Sequence, residues 1–238
     1  MVRHTIAIRG QAKDAGSEIP VNEEILNLFN KEQISEHFLC DVNPEGQVPV
    51  LASAELKRPI ADSLEITFFL AEHYPSLIPD SHREQIVSLL KDLHSLNYFS
   101  LSFTGRAGVA DMFKKSVLDR LNTPGISRRY RDALTFKLGV LERDKVGGLR
   151  PGVPEDMSER ARKLMERFEP LVEPSQSWLF DLPHPTALDA HLTVFIARML
   201  DVKRHEIIPE RLKDYAARVM ETSEWKNVMQ GRGTVSPH

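Results

Sequence analysis

The sequence predicts a mixed α/β amino-terminal domain followed by an all-helical domain, and three observations support this fold class. Short apolar runs alternate with helical segments over residues 1–79. From residue 80 onwards, apolar residues recur at helical spacing instead. Between the two parts, residues 74–79 read YPSLIP, which ends a helix and is typical of an interdomain linker. We therefore expect two domains, residues 1–79 and residues 80–238.

The first domain is predicted to contain strands and helices in alternation. Three short apolar runs are predicted as strands, namely residues 5–8, 24–28 and 48–52. Two segments are predicted as helices, residues 35–42 and residues 63–73, the second with Leu64, Phe68 and Leu70 facing inward. The first run has an alternative interpretation, in which a helix covers residues 4–15 and the first strand is missing. We favour the strand.

The second domain is predicted to be helical throughout. Its predicted helices are residues 83–99, 109–121, 127–142, 158–171, 187–200 and 208–220, with a last short one near Trp225. Residues 145–154 are rich in glycine and proline and are predicted as a loop. Residues 187–200 are mostly apolar, so we expect this helix to be buried.

Composition restricts the class of protein. The 238 residues carry a net charge of −3, which disfavours a nucleic acid as the main partner. No apolar run approaches the length of a membrane span. The first sixteen residues are too polar for a secretory signal, and the single cysteine, Cys40, fits a reducing compartment. We expect a cytoplasmic protein without an intramolecular disulfide.

Two short motifs point to recognition of a small acidic peptide. Residues 43–51 read NPEGQVPVL, so a Val48-Pro49 bond precedes an apolar run. Proline cannot donate to a sheet ladder, which indicates a constrained X-Pro bond, with the cis form as a candidate, and an unpaired Val48 backbone. A helix that begins at Asp62-Ser63 offers amide groups and the positive end of its dipole to an anion.

These motifs resemble a known family. NPEGQVPVL followed by IADSLEITFFLAEHYP is similar to the thioredoxin-like amino-terminal domain of the cytosolic glutathione S-transferases. Residues 185–191, PTALDAH, resemble the capping motif of the carboxy-terminal helical domain of that family. The resemblance implies a thioredoxin-like domain followed by a helical domain, glutathione as co-substrate and a homodimer.

The resemblance also implies roles for five residues in holding glutathione. The Val48 backbone, held beside Pro49, would pair with the cysteinyl part, and Gln47 would contact the glycyl end. The Ser63 hydroxyl and amide would bind the γ-glutamyl carboxylate, and Asp62 would bind the ammonium group. Charge-assisted hydrogen bonds at a helix start provide that specificity.

The residue that would activate the thiol is harder to assign. The family uses a tyrosine, serine or cysteine just after the first strand. This chain has no tyrosine before Tyr74 and no cysteine before Cys40. Ser17 is therefore the candidate catalytic hydroxyl, with a surface role as the alternative. We interpret Cys40 as a packing residue of the second helix and not as a nucleophile.

Two further groups of residues are predicted from their positions. His94, Tyr98 and Phe99 would line a pocket for an apolar co-substrate, although a core or interface role is an equal alternative. Thr186 and Asp189 have the spacing of a capping box, which serves folding and not catalysis.

Three functions remain open on the sequence. The first is a glutathione transferase that conjugates an apolar electrophile, as in detoxification, or a relative with isomerase or lyase chemistry. The second is a non-catalytic binding or dimerisation module, favoured by the missing thiol-activating motif. The third, a thioredoxin-like redox enzyme using Cys40, is disfavoured because there is no Cys-x-x-Cys motif. The nine histidines show no metal-ligand spacing.

Overall fold

The computed structural model describes residues 1–106, 108–173 and 177–235. These residues are mostly helical. The α-helices are α1 Val2–Ala7, α2 Ser63–His73, α3 Arg83–His94, α4 Tyr98–Phe103, α5 Gly108–Leu121, α6 Arg128–Leu141, α7 Val153–Phe168, α8 Ala187–Asp201, α9 Glu210–Met220 and α10 Ser223–Met229. Two π-helical turns cover Phe38–Val42 and Glu142–Val146. No helix in the described ranges is both long and apolar enough to cross a bilayer.

The helix predictions are confirmed with small changes in the boundaries. Residues 63–73 coincide with α2, and most helices predicted between residues 109 and 220 lie within two residues of α5, α6, α8 and α9. Helix α7 begins five residues earlier than predicted, and residues 145–149, predicted as loop, lie in short helical turns. The predicted helix over residues 83–99 is divided into α3 and α4. Asn97 causes this division, because its side-chain oxygen accepts a hydrogen bond from Ser100 N at 3.0 Å and caps a new helix.

The strand prediction for residues 5–8 is wrong. This run lies in α1 and at its end, so it is helical, but the helix ends at Ala7 and does not extend to residue 15 as in the alternative interpretation. The buried positions of this region follow helical spacing: Val2, His4, Thr5 and Ile8. A short apolar run cannot distinguish a strand from a buried helix, and burial on one helical face decided the outcome here.

The other two predicted strands are also absent from the described residues. Residues 24–28 form no regular structure. Within residues 48–52, only Leu51 pairs, in an isolated antiparallel bridge with Ile60. A strand needs a neighbour for its backbone groups, and neither run has a continuous one in the part of the chain described.

The chain divides into two compact units. The first unit contains residues 1–19, 67–96 and 155–238, and the second contains residues 20–66 and 97–154. Each unit combines stretches from both predicted domains, and the predicted boundary at residues 79 and 80 stays a prediction.

The first unit is organised around α8. Most of this helix is fully buried, as predicted, and it packs against α1, α3 and α9. The predicted linker, residues 74–79, also belongs to this core. Tyr74 and Leu77 are fully buried, and the Tyr74 hydroxyl accepts a hydrogen bond from Ile19 N at 2.8 Å.

The second unit is organised around α5 and α6. Helix α6 begins at Ser127, whose hydroxyl accepts a hydrogen bond from Tyr130 N at 3.0 Å. It packs against the turn Phe38–Val42, which carries Cys40. Six buried residues form this core: Ile34, Leu39, Val117, Tyr130, Leu134 and Leu141. The core supports the segment that carries the peptide-recognition motif.

Candidate functional site

A tight turn before Gln47 is built around the side chain of Asn43, which is buried. Its Oδ1 accepts a hydrogen bond from Glu45 N at 3.0 Å, and its Nδ2 donates to the Gln47 carbonyl at 2.9 Å. The amide of Gly46 donates to the Asn43 carbonyl at 2.9 Å. Sequence reasoning gave Asn43 no role, although an asparagine followed by Pro-x-Gly is a known turn signal. This side chain fixes the direction in which the backbone enters the candidate site.

Gly46 is required by this turn for two reasons. Its φ of +58° lies in the left-handed region, which disfavours residues with a Cβ. A Cβ would also lie 2.9 Å from the Gln33 carbonyl oxygen and 3.2 Å from Lys137 Cε. The backbone of the turn therefore approaches its neighbours more closely than any other residue would allow.

We expect Gly46→Ala to destabilise the protein by about 2 kcal/mol, from the positive φ and the clash with the Gln33 backbone. Gly125 also has a positive φ, of +78°, but a Cβ there meets no atom within 4 Å. Urea unfolding of Gly46→Ala and Gly125→Ala separates the two contributions. A loss no greater at residue 46 than at residue 125 would show that the close approach is unimportant.

The Val48–Pro49 peptide bond is cis. Val48 is exposed to 44%, unusually for a large apolar residue. Neither its amide nor its carbonyl has a hydrogen-bond partner among the described residues. The unpaired Val48 backbone that the sequence predicted is therefore present, on a surface that an extended peptide could reach.

The antiparallel bridge relates Val48-Pro49 to the start of α2. Leu51 N donates to the Ile60 carbonyl at 2.8 Å, and Ile60 N donates to the Leu51 carbonyl at 2.9 Å. Pro49 precedes this bridge by two residues, and Asp62 follows it by two. The bridge thus links the segment that follows Val48-Pro49 to the segment that leads into α2, within the second unit.

Asp62 caps α2. Its Oδ1 accepts hydrogen bonds from Leu64 N at 2.8 Å and from Glu65 N at 3.1 Å. Its Oδ2 accepts none from the residues that the structure describes. Ser63 is the first residue of the helix and is half-buried. Helix capping and ligand binding are compatible here, because they use different oxygens of the carboxylate.

Ser17, the candidate catalytic hydroxyl, lies in the first unit at the end of a short 3₁₀-helix, Ala15–Ser17. It is buried, and its Oγ donates to Asp14 Oδ1 at 2.8 Å. The glutathione residues predicted from the motifs lie in the second unit. The hydroxyl is therefore already engaged in a local hydrogen bond.

His94 takes part in a buried hydrogen-bonded chain in the first unit. His94 Nε2 lies 2.7 Å from His191 Nδ1, and His191 Nε2 lies 2.9 Å from Thr67 Oγ1. His191 is fully buried, and burial first, then the electrostatic influence of the neighbouring His94, lowers its pKa well below the usual value. Sequence reasoning missed His191, although it ends the run PTALDAH in a helix predicted to be buried.

Tyr98 and Phe99, the other predicted pocket residues, begin α4 in the second unit. The Phe99 ring packs against Phe103 with 4.7 Å between ring centroids, and against Phe113 at 5.9 Å. Lys145 Nζ lies 4.3 Å from the centroid of the Phe99 ring. Phe99 therefore packs among aromatic side chains of this unit, and its role in a pocket stays a prediction.

Thr186 and Asp189 form a capping box at the start of α8. The Thr186 hydroxyl accepts a hydrogen bond from Leu188 N at 3.2 Å. One carboxylate oxygen of Asp189 accepts from Thr186 N at 2.7 Å, and the other accepts from Leu179 N at 2.9 Å and from the Tyr215 hydroxyl at 2.5 Å. This cap ties three parts of the first unit together.

Cys40 packs against the core of the second unit. Burial raises the pKa of its thiol above the usual value, against a smaller lowering by Arg129. Thiolate formation is therefore disfavoured, which argues against a nucleophilic Cys40.

No group of three or more potential metal-ligating side chains occurs in the described portion of the chain.

The comparisons with known proteins bear on the fold. The sequence matches no protein-family model and no curated protein. Among solved structures, it is similar to a holo maleylpyruvate isomerase, described as a bacterial zeta-class glutathione S-transferase. That match has 16% identity and a TM-score of 0.53, and covers 95% of this chain and 89% of the other. A glutathione S-transferase from Xylella fastidiosa matches with 15% identity and a TM-score of 0.53, over 96% of this chain and 92% of the other. Identities this low establish the fold alone, and they confirm at that level the resemblance read from the motifs: the chain has the glutathione S-transferase fold.

Proposed function

We propose that this protein binds glutathione in the second unit, through Gln47, Val48 and Pro49 and through the start of α2. The observation that carries the proposal is the exposed, unpaired Val48 backbone, in a segment that the Leu51–Ile60 bridge joins to the segment leading into the capped helix start. A peptide-backbone pairing group beside an anion-binding helix start suits a small acidic peptide. The resemblance to glutathione S-transferases supports glutathione as that peptide, and a thioredoxin-like character of this region is part of the proposal.

Each residue has a specific role in this mode of binding. The amide and carbonyl of Val48 pair with the cysteinyl backbone of glutathione, while Pro49 leaves this face free of a sheet neighbour. Ser63 donates its hydroxyl and amide to the γ-glutamyl carboxylate. Asp62 Oδ2 accepts from the ligand's ammonium group, and Gln47 contacts the glycyl end.

We propose that the bound thiol is used in a transferase reaction with an apolar electrophile. The thiolate sulfur forms a bond to an electrophilic carbon, and the electron pair moves to a leaving group or to an acceptor that is then protonated. Ser17 stays the hydroxyl predicted to activate the thiol, and His94 stays a predicted contact of the acceptor. Within the second unit, Tyr98 and Phe99 are the candidates for the acceptor pocket. Conjugation of the detoxification type and isomerase or lyase chemistry share this first step.

A non-catalytic glutathione-binding module is the second candidate. The hydrogen bond from Ser17 Oγ to Asp14 favours it, because this hydroxyl is buried and already has an acceptor.

In either case we propose a homodimer, as the resemblance implies, located in the cytoplasm, as the single cysteine suggests. Sedimentation equilibrium measures the oligomeric state.

Glutathione binding is tested by calorimetric titration, followed by conjugation assays with a panel of electrophiles. Binding with turnover supports the transferase, and binding without turnover supports the module. Absence of binding at millimolar glutathione would overturn both.

We expect Ser63→Ala to weaken glutathione binding about fivefold to tenfold, because a hydroxyl bond to a carboxylate is lost while the amide remains. Ser53→Ala is the matched control, since Ser53 is exposed in the same unit and only caps a local turn through Glu55 N. Equal affinities for the wild type and Ser63→Ala would place the carboxylate of the ligand elsewhere.

A further inference from the structure

Lys137 is a buried lysine that lies outside both peptide-recognition motifs. It belongs to α6 in the second unit and is only 4% exposed. A buried lysine is rare unless it is paired, because burial penalises the charged ammonium. Its place in the core therefore calls for specific acceptors.

The acceptors of Lys137 are two backbone carbonyls of the turn that leads into the candidate glutathione site. Nζ donates a short hydrogen bond to the Glu45 carbonyl, and it lies 3.4 Å from the Gly46 carbonyl oxygen. Its Cε lies 3.2 Å from the position that a Cβ of residue 46 would take. The turn is thus held from one side by Asn43 and from the other by Lys137.

The charges around Lys137 come from both neighbouring segments. Glu45 on the turn and Asp144 on the turn Glu142–Val146 favour its charged form, whereas Lys145 opposes it. Burial first, and then Lys145, lowers the pKa of Lys137 to about 8. The ammonium form predominates at neutral pH and is lost progressively as the pH rises above that value.

We propose that Lys137 is a positioning residue for the peptide-recognition segment, whose ammonium holds the Glu45 and Gly46 carbonyls and thereby fixes Gln47, Val48 and Pro49. The claim that Lys137 affects glutathione binding rests on the proposed function. The claim that Lys137 stabilises the turn does not depend on that function. A charge-assisted bond to a carbonyl is stronger than a neutral one, so the turn loosens when the ammonium deprotonates.

The test uses the full chain with Lys137→Met, which keeps the apolar stem and removes the donor. Lys115→Met is the matched control, because Lys115 is exposed and pairs only with Asp119 on its own helix. Hydrogen exchange measures the amides of Glu45 and Gly46, which donate to Asn43. We expect them to exchange at least tenfold faster in Lys137→Met and at the wild-type rate in Lys115→Met.

The second measurement is the affinity for S-methylglutathione, which has no free thiol to titrate, between about pH 7 and about pH 9.5. We expect a tenfold weaker affinity in Lys137→Met at neutral pH. When the pH is raised to about 9.5, the affinity of the wild type should fall about threefold more than the affinity of Lys137→Met falls over the same range. The wild-type pH series can be measured even if Lys137→Met does not fold, and Lys137→Gln, which keeps a donor, then replaces it.

The outcomes separate the two claims. Faster exchange, together with weaker binding that falls less steeply with pH in the variant than in the wild type, supports the positioning role at the ligand site. Faster exchange in a protein that binds no S-methylglutathione supports the role of Lys137 in the turn and overturns the proposed function. Unchanged exchange of Glu45 and Gly46 amides overturns the role of Lys137, whatever the glutathione result.

Discussion

We expect Asp189→Ala to lower the free energy of unfolding by about 4 kcal/mol, about twice the loss expected for Gly46→Ala. For a chain of this size, that corresponds to a fall in melting temperature on the order of 10 °C. Thermal unfolding followed by circular dichroism measures it.

The reason is the number of donors that a single carboxylate satisfies. Asp189 is fully buried and accepts four hydrogen bonds, from Leu179 N, Thr186 N, Thr186 Oγ1 and the Tyr215 hydroxyl. Burial raises the pKa of Asp189, and the four donors oppose this rise. Truncation to alanine leaves these donors buried, where water cannot replace the lost acceptor.

Two further variants show whether the effect depends on this network. Tyr215→Phe removes one donor but leaves the acceptor in place, so we expect a smaller loss, of about 1–2 kcal/mol. Asp214→Ala removes an exposed carboxylate from the adjacent position on α9, and its stability should stay within about 0.5 kcal/mol of wild type. A melting temperature of Asp189→Ala within a degree of wild type would contradict the argument.

The helices were predictable because each carries a local signal. The Thr-x-x-Asp spacing at residue 186 by itself indicates a cap, and the apolar periodicity of α3, α5 and α9 gives their buried faces. The strands were not predictable from the same kind of evidence. A short apolar run becomes a strand only if a neighbour pairs with it, and that neighbour is set by the tertiary fold.

The candidate site was predictable only in part. The Val48-Pro49 and Asp62-Ser63 motifs are local, so the exposed Val48 backbone and the Asp62 cap could be anticipated. Lys137 could not, because it lies 92 residues from Glu45 in sequence and one lysine on a helix normally faces solvent. The His94–His191 contact spans 97 residues and was missed for the same reason.

We expect the protein to lose stability on mild acidification, before most carboxylates titrate. Burial lowers the pKa of His4 to about 4, against a smaller opposing effect of the Ala190 carbonyl, and it lowers the pKa of His191 well below 6.5. His4 is 1% exposed, packs edge-on against Trp225, and has no hydrogen-bond partner for either ring nitrogen among the described residues. Charging either ring in place would therefore cost more than charging it in the unfolded chain.

The direction follows from proton linkage. Below about pH 6.5 the unfolded chain protonates both histidines, while the folded chain keeps them neutral until the pH falls much further. The full stability is present above the unfolded pKa and falls as the pH drops, by about 1.4 kcal/mol per pH unit for each histidine. Between about pH 6.5 and about pH 5, the combined loss amounts to about 3 kcal/mol.

Urea unfolding across this pH range measures the slope, and His4→Phe shows how much of it comes from one buried ring. Phenylalanine keeps an aromatic contact to Trp225 but cannot bind a proton, so we expect about half of the pH dependence to disappear. His205→Phe is the matched control, because it removes an imidazole that is exposed. Equal slopes in the wild type and His4→Phe would mean that the folded protein protonates this ring as readily as the unfolded chain does.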